Sequence, residues 1–305
     1  MRMNRWLVFA GVTTGFWGIW GALIELPEKA GFPATLGYSV WSLTMIPPAL
    51  AAMRLARWRL DRDGRSVLLG SVIGLLGAGG QLVLFEALRL GPAYIVFPLI
   101  SLSPVATILL SVGFLKEKAS PRGWAGIALA LIAIPLLSYL PPGGSGVSGY
   151  GWVLLSLLVF LSWGVQAFVM KFANRTMTAE SIFFYMMVTA IMLAPVALWM
   201  TDFSRPINWG FRGPWLAALI QSLNSIGALT LVYAFRHGRA IIVSPMANAG
   251  APVITILASL SIYQILPRAV AGAGMILAIA AAILLSIEPE ESPAASPQPR
   301  DLSGA

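Results

Sequence analysis

Neutral polar and aromatic side chains recur inside long apolar stretches of this sequence, where they could bind a small solute. An amide without a partner in hydrocarbon costs on the order of several kcal/mol, so such side chains should face one another, a cavity or a ligand. A few neutral polar groups in an apolar wall are the usual composition of a small-molecule site. The predicted substrate-binding residues are Trp17, Gln81, Tyr94, Ser101, Trp163, Gln221, Asn224 and Asn248.

Four prolines occupy matching places in two of these stretches. Proline removes a helix hydrogen bond and crowds the preceding turn, so each one predicts a kink. Interrupted helices at matching places are typical of transport sites, because the freed carbonyls line water or a ligand. The alternative is a set of kinks that serve helix packing alone. The predicted kink and gating residues are Pro98, Pro104, Pro245 and Pro252.

Ionisable side chains avoid the centres of the apolar stretches. Glu86 lies about one turn from the end of its stretch. It is the predicted carboxylate for coupling proton movement to transport, and a structural ion pair to Arg89 is the alternative. Lys171 and Arg236 lie near other ends, from which long basic side chains can reach the surface. A central site without charge favours a neutral, zwitterionic or amphipathic solute, since an unpaired buried ion is costly.

The residue inventory argues against an enzyme. There is no cysteine and one histidine, His237, so the clusters that hold metals and the base that a serine nucleophile needs are not predicted. No catalytic residue, metal or cofactor is therefore expected. The net charge of +8 does not predict nucleic-acid binding, because the basic residues lie in short groups between apolar runs.

Composition makes lipid the predicted solvent for most of the chain. The 305 residues are 58% hydrophobic and 10% charged, against roughly 25% charged in soluble domains. About 20 apolar residues span a bilayer as a helix, and the first run is predicted to stay uncleaved. The fold class is thus an all-α integral membrane protein with ten predicted transmembrane helices: 6–26, 34–53, 67–88, 92–115, 121–140, 150–172, 178–200, 213–235, 240–262 and 268–287.

Basic residues predict the orientation of these spans. With the N-terminus inside, fifteen of the 20 Lys and Arg face inward. Both termini are therefore predicted to be cytoplasmic, and the localisation that follows is a bacterial inner membrane. The five basic residues on the predicted outer side are Lys29, Arg89, Arg205, Arg212 and Arg268.

The two halves of the chain repeat each other. ALRLGPAYIVFP at 87–98 returns as AFRHGRAIIVSP at 234–245, and the pair Trp17-Gly18 returns as Trp163-Gly164. Five spans per half is an odd number, so the second repeat must enter the membrane upside down. The predicted divisions are an N-terminal five-helix repeat, an outer linker, an inverted C-terminal five-helix repeat and a disordered cytoplasmic tail, at 1–140, 141–149, 150–287 and 288–305.

The ordered set of motifs resembles the drug/metabolite transporter superfamily, and within it the EamA-type ten-helix members, which include bacterial amino-acid and metabolite exporters. Two halves of five spans, the paired Trp-Gly motifs, the Ala-Leu-Arg turn at 87–89 and Phe114-Leu115-Lys116-Glu117 carry this resemblance. It implies movement of small solutes through a central cavity by alternating access. Glu117 normally has an acidic counterpart in the second half, where this chain has Gln264.

The function expected from residues and resemblance together is secondary transport of neutral or zwitterionic metabolites, with amino-acid export as the first expectation. Another solute, such as a sugar, a nucleoside or an amine-type drug, is the alternative. A channel or a lipid scramblase is the alternative from a different class. The expected partners are a small-molecule substrate and membrane lipids, without nucleic acid, and a monomer is expected.

Overall fold

The computed structural model describes residues 4–91, 93–137, 139, 150–263 and 268–288, and within these ranges the chain is helical without any strand. The predicted linker at 141–149, Gln264 and the predicted tail beyond Glu288 lie outside the described residues. The side chains of Tyr94 and Pro98 also lie outside them, although both residues belong to a helix.

The helices follow the apolar runs, and polar caps begin two of them. Asp63 accepts a hydrogen bond from the Ser66 amide at the start of α5, and Thr178 accepts one from the Ser181 amide at the start of α11. The first half contains α1 Arg5–Leu23, α2 Glu25–Lys29, α3 Ala34–Thr44, α4 Ile46–Leu55, α5 Gly64–Gly74, α6 Gly80–Leu90, α7 Ala93–Ser101, α8 Ser103–Leu110 and α9 Pro121–Leu137. The second half contains α10 Gly151–Ala173, α11 Ala179–Trp199, α12 Leu216–His237, α13 Ala240–Tyr263 and α14 Ala269–Ser286.

Short π-helical segments extend three of these helices. Leu75–Gly79 joins α5 to α6, Ser111–Leu115 extends α8, and Phe211–Trp215 leads into α12. Within the described ranges, seven helical segments are long and apolar enough to cross a membrane. They are Arg5–Lys29, Gly64–Leu90, Gly151–Ala173, Ala179–Trp199, Phe211–His237, Ala240–Ile262 and Ala269–Ser286.

The other three predicted spans are shorter or interrupted. The second divides into α3 and α4 around Met45, where Pro47 and Pro48 follow in the first turn of α4 and lack the amides that would continue α3. The fourth divides into α7 and α8 at Leu102, ahead of Pro104. The fifth, α9, contains 17 residues. Ten crossings therefore remain a prediction.

The predicted kinks differ between the two halves. In the first half, the helix is interrupted at Leu102, and Pro104 occupies the first turn of α8, where its missing amide costs no hydrogen bond. In the second half, α13 continues for 24 residues through Pro245 and Pro252. Pro104 thus lies beside an interruption, whereas the matching prolines of the second half lie within a continuous helix.

The halves pack by exchanging their first helices. Helix α1 of the first half packs against α12 and α13, and α10 of the second half packs against α6 and α8. The contacts correspond pair by pair. A Cβ atom on Gly227 would lie 2.5 Å from the Trp17 ring, and one on Gly80 would lie 2.7 Å from the Trp163 ring. Each indole therefore occupies the space that a side chain on the facing helix would need.

Threonine hydrogen bonds repeat the same correspondence. The Thr255 hydroxyl donates to the Gly18 carbonyl at 2.9 Å, and the Thr107 hydroxyl donates to the Gly164 carbonyl at 3.0 Å. A Cβ atom on Gly18 would overlap Ile254, just as one on Gly164 would lie 2.5 Å from Ala106. The glycine after each tryptophan is thus required for close helix contact.

Equivalent helices of the two halves run in opposite directions. Helix α5 runs parallel to α11, because Gly70 and Gly74 face Tyr185 and Thr189 in the same order. Helix α11 runs against α3 and α4, since Thr35 at the start of α3 bonds Thr201 beyond the end of α11. Helix α3 runs with α12, because Gly37 and Thr44 approach Gln221 and Ser225 in order. Helix α5 therefore opposes α12, its counterpart in the repeat.

The close approach at Gly18 predicts a difference between two glycines of α1. Gly18→Ala should destabilise the protein by about 1–3 kcal/mol through overpacking. Gly15→Ala, at a site with no atom within 4 Å of the added group, should be neutral or stabilising by up to about 1 kcal/mol, because alanine favours helix. Thermal unfolding of the detergent-purified variants measures both. Equal melting temperatures for the two variants would contradict this packing.

Candidate functional site

The two predicted site tryptophans lie at the junction of the halves. The Trp17 Nε1 donates to the Asn224 carbonyl, and the Trp163 Nε1 donates to the Gly77 carbonyl, both at 3.3 Å. Both side chains are half-buried. Each indole therefore packs against a glycine of the other half and keeps part of its surface accessible. That it lines a substrate cavity stays a prediction.

Two of the predicted polar residues, Gln221 and Asn224, lie on α12. Gln221 is buried, and its Oε1 accepts a hydrogen bond from the Trp20 Nε1 at 3.0 Å. Asn224 lies one turn further along and supplies the carbonyl that Trp17 binds. The Asn224 side chain makes no hydrogen bond within the described part of the chain and is half-buried, so its amide is available to a ligand.

Gln81 occupies the corresponding region of the first half. It follows Gly80, which packs against Trp163, and its half-buried amide has no hydrogen-bond partner among the described residues. Asn248 on α13 donates to the Ser244 carbonyl at 2.9 Å, and Ser101 on α7 donates to the Phe97 carbonyl at 2.7 Å. Each of these hydrogen bonds stays within one helix. Neither bond joins Asn248 or Ser101 to the two tryptophans.

Sequence reasoning missed two residues at this junction. Trp20 binds the Gln221 amide, and Gln166 packs its amide against Gly77, at the same place where Trp163 donates its hydrogen bond. Their spacing of three residues from Trp17 and Trp163 puts them on the same helix face and could have identified them.

Glu86 makes a two-point ion pair with Arg89. The Arg89 Nε lies 2.8 Å from Glu86 Oε2, and the Arg89 Nη2 lies 2.5 Å from Glu86 Oε1. The carboxylate is 34% exposed and the guanidinium 68%. This geometry agrees with the structural alternative, and coupling through Glu86 stays a prediction.

Lys171 is buried at the end of α10, so the expectation that it reaches the surface is wrong. Only 4% of the residue is exposed. Its Nζ donates to the carbonyls of Phe235 and Gly238 at 3.1 and 2.7 Å. These carbonyls end α12, where the helix dipole places partial negative charge that stabilises an ammonium.

Glu117 binds the other side of the same turn. Its two carboxylate oxygens accept hydrogen bonds from the amides of Ala240 and Ile241 at 3.1 and 3.0 Å. The residue is 6% exposed. A carboxylate at the first amides of α13 satisfies otherwise unpaired donors and the positive end of the dipole. We call Lys171 and Glu117 together the charge clamp, because they bind the two sides of the turn between α12 and α13.

A second set of contacts fixes this turn to the first half. The Arg239 Nη1 donates to the Lys118 carbonyl at 2.7 Å and lies 3.1 Å from the Glu288 carboxylate. Glu288 in turn accepts a hydrogen bond from the Ser120 hydroxyl. His237 is the last residue of α12, and its ring stacks on Phe9 with centroids 5.9 Å apart. The turn is thus held from several helices at once.

Comparison with known proteins finds curated relatives that match only part of this chain. The chain is 26% identical to Protein LicB of Haemophilus influenzae over 187 residues, which cover 59% of this chain and 62% of LicB. It is 48% identical to an uncharacterized protein of Methanocaldococcus jannaschii over 59 residues, 19% of this chain and 43% of that protein. The chain thus spans less than two thirds of both relatives. A third relative, an uncharacterized transporter in the cobO 3′ region of Sinorhizobium, is 35% identical over 107 residues, 34% of this chain and 74% of that protein.

One solved crystal structure shares the fold with a TM-score of 0.76 and 19% identity, covering 92% of this chain and 96% of the other. The sequence profile of the EamA-like transporter family matches residues 4–139 and 150–287. Because the matched segments take in both halves, the chain belongs to the EamA-like transporter family, within the drug/metabolite transporter superfamily.

Proposed function

We propose that this multi-pass membrane transporter is a secondary carrier that exports small neutral or zwitterionic metabolites, with amino acids as the first class to test. The single observation that carries the proposal is the reciprocal packing of Trp17 and Trp163 against glycines of the opposite half. This contact creates a junction of two similar bodies near the middle of their helices. Carriers of this type hold their solute at such a junction.

We propose that the chain crosses a bacterial inner membrane ten times, as two inverted five-helix repeats with both termini in the cytoplasm. Support comes from the opposite directions of α5 and α12 and from the three-to-one division of basic residues. The interrupted spans α3–α4 and α7–α8 cross as pairs of shorter helices in this arrangement. Broken helices are tolerated where neighbouring helices or a cavity satisfy the freed backbone groups.

The charge distribution supports a solute without net charge. Glu86, Lys171 and Arg236 lie within about two turns of a helix end, and the central sections carry amides, hydroxyls and indoles. A solute with net charge would need a counter-charge at the centre, because an unpaired buried ion is strongly unfavourable. A zwitterion can place its carboxylate at helix-end dipoles near the interruption at Leu102.

The charge clamp supports alternating access with a closed inner side in this conformation. Lys171 and Glu117 hold the turn between α12 and α13, and the first residues of α13 beyond it, Ala240 to Ser244, are buried. The last turns of α13, around Leu257 and Ile262, are partly exposed. Release of the clamp would free the inner end of α13 and open the site to the cytoplasm.

Reconstituted vesicles test the proposed function. Protein in liposomes loaded with an unlabelled amino acid should accumulate the labelled amino acid by saturable counterflow. Parallel assays with sugars, nucleosides and amines determine the solute class. Unsaturable current or lipid flip without counterflow would identify a channel or a scramblase and contradict a carrier.

Replacement of Trp163 should reduce transport because the indole fills the junction and donates to Gly77. Trp163→Ala is expected to lower counterflow about tenfold or more, equivalent to about 1.4 kcal/mol of lost stabilisation. Trp163→Phe keeps the apolar contact and should lie between Trp163→Ala and the wild type. Trp199→Ala removes a side chain that is 86% exposed and is the matched control. Wild-type counterflow in folded Trp163→Ala would contradict a role at the site.

Loss of the charge clamp should open the inner side. The chain has no cysteine, so a single Ser244→Cys substitution gives a buried probe on α13 without background. Adding Glu117→Gln should raise its labelling rate by an impermeant maleimide in inside-out vesicles by roughly tenfold, because a buried charge-assisted hydrogen bond is worth about 1.5–3 kcal/mol.

The control for this measurement is Lys118→Gln, an exposed side chain on the same segment whose contact with Arg239 uses only its backbone carbonyl. Lys171→Met should act in the same direction as Glu117→Gln. If both clamp variants label at the rate of the Lys118→Gln control, the clamp does not hold the inner side closed.

A further inference from the structure

Six arginines form an exposed basic surface at one end of the helices. Five lie between the last turn of α4 and the first turn of α5, and Arg175 follows α10. All six are exposed, and no carboxylate pairs with any of them within the described ranges. We call this set the arginine surface: Arg54, Arg57, Arg59, Arg62, Arg65 and Arg175.

The acidic residues of the same loop are engaged elsewhere. The Asp61 Oδ2 accepts hydrogen bonds from the Thr178 amide and hydroxyl at 2.7 and 2.9 Å. Asp63 caps α5 by accepting from the Ser66 amide and hydroxyl at 3.2 and 2.6 Å, and these bonds hold the pKa of its carboxyl below the usual value. The carboxylates of the loop therefore do not neutralise these guanidinium groups, of which that of Arg65 lies over the Phe172 ring, 5.4 Å from its centroid.

The loop has a defined shape. Tyr185 donates to the Asp61 carbonyl at 2.7 Å, and the Asp61 amide donates to the Ser181 hydroxyl at 3.0 Å, so α11 holds the middle of the loop. Arg57 and Trp58 both adopt left-handed backbone conformations, with φ of 53° and 59°, that are unfavourable for residues with side chains. The Trp58 amide donates to the Met53 carbonyl at 2.7 Å and fixes this turn. The basic groups are therefore presented by an ordered turn.

Exposed apolar side chains lie directly beside the arginines. Trp58 is 59% exposed and Leu55 80% exposed. Val67 and Leu68, in the first turn of α5, are exposed as well. Tryptophan prefers the boundary between lipid tails and head groups, where its ring is apolar and its N–H finds polar partners. The arginine surface is thus continuous with exposed apolar side chains.

We propose that the arginine surface binds the phosphate head groups of anionic phospholipids, with Trp58 and Leu55 inserted among the adjoining acyl chains. Guanidinium groups recognise phosphate by paired hydrogen bonds. Basic residues next to a membrane-spanning helix are attracted to an anionic leaflet. A free polyanion would use the charges and leave Trp58 and Leu55 in water. The combination of both features on one ordered turn favours lipid.

Lipid binding to the detergent-purified full chain tests this proposal. Phosphatidylglycerol and phosphatidylcholine are titrated separately, and bound lipid is counted by native mass spectrometry. The wild type should bind phosphatidylglycerol more tightly, and added salt should weaken this preference. The triple variant Arg57→Gln, Arg59→Gln and Arg62→Gln should bind phosphatidylglycerol about tenfold or more weakly, since each basic residue near an anionic surface contributes roughly fivefold.

A second triple variant controls for total charge. Arg205→Gln, Arg212→Gln and Arg268→Gln remove the same charge from other loops and should keep the wild-type preference. Thermal melting checks that both variants fold, and Arg59→Gln with Arg62→Gln is the milder replacement if the first triple does not. Equal weakening in both triples, or no preference for phosphatidylglycerol in the wild type, would each overturn the proposal.

Discussion

Close contact between an indole of one half and a glycine of the other is the interaction on which the rest of this structure depends. Trp17 lies against Gly227 and Trp163 lies against Gly80. Side chains in lipid gain little from apolar burial, so helices associate through close packing and interhelical hydrogen bonds. Both are present here, because the indole N–H groups donate to backbone carbonyls of the facing helices. Neither half completes its packing without the first helix of the other.

This exchange accounts for a polar junction near the middle of the molecule. Where α1 and α10 cross the opposite half, small residues bring backbones together, and the half-buried amides of Gln81 and Asn224 lie next to these contacts in the chain. Their amides stay without protein partners among the described residues. Unsatisfied amides in an apolar surrounding are unfavourable until water or a solute binds them. Close packing and half-buried amides without protein partners among the described residues are therefore two results of the same exchange.

The two halves make matching contacts to backbone carbonyls, but the charged residues at equivalent helix ends differ between them. Lys171 is buried against carbonyls that end α12, whereas its counterpart in the repeat, Glu25, makes an exposed ion pair with Lys29 at 2.5 Å. Exposed pairs contribute little to stability, while buried charges with full hydrogen bonding resist disruption. In the proposed carrier, these unequal end contacts would favour the conformation with one side closed.

Much of the fold follows from local pattern. Lipid leaves helix as the way to satisfy each backbone amide, so the apolar runs predict α1, α10 and α11 to within a few residues of their observed ends. The division around Met45 was missed, because hydropathy stays high across Pro47 and Pro48 and the missing amides do not lower it. The burial of Lys171 was missed because its partners are backbone carbonyls, which leave no trace in residue types.

The sequence by itself determined the membrane class, the approximate helices and the repeat, because composition and periodicity reflect the solvent and the gene's duplication directly. It also identified the residue types from which a neutral site could be built. Only the tertiary structure decided that Trp17 meets Asn224, that Gln166 meets Gly77, and that Glu117 caps α13. The physical reason is that these contacts join residues far apart in the chain, and helix direction and crossing decide which of them meet.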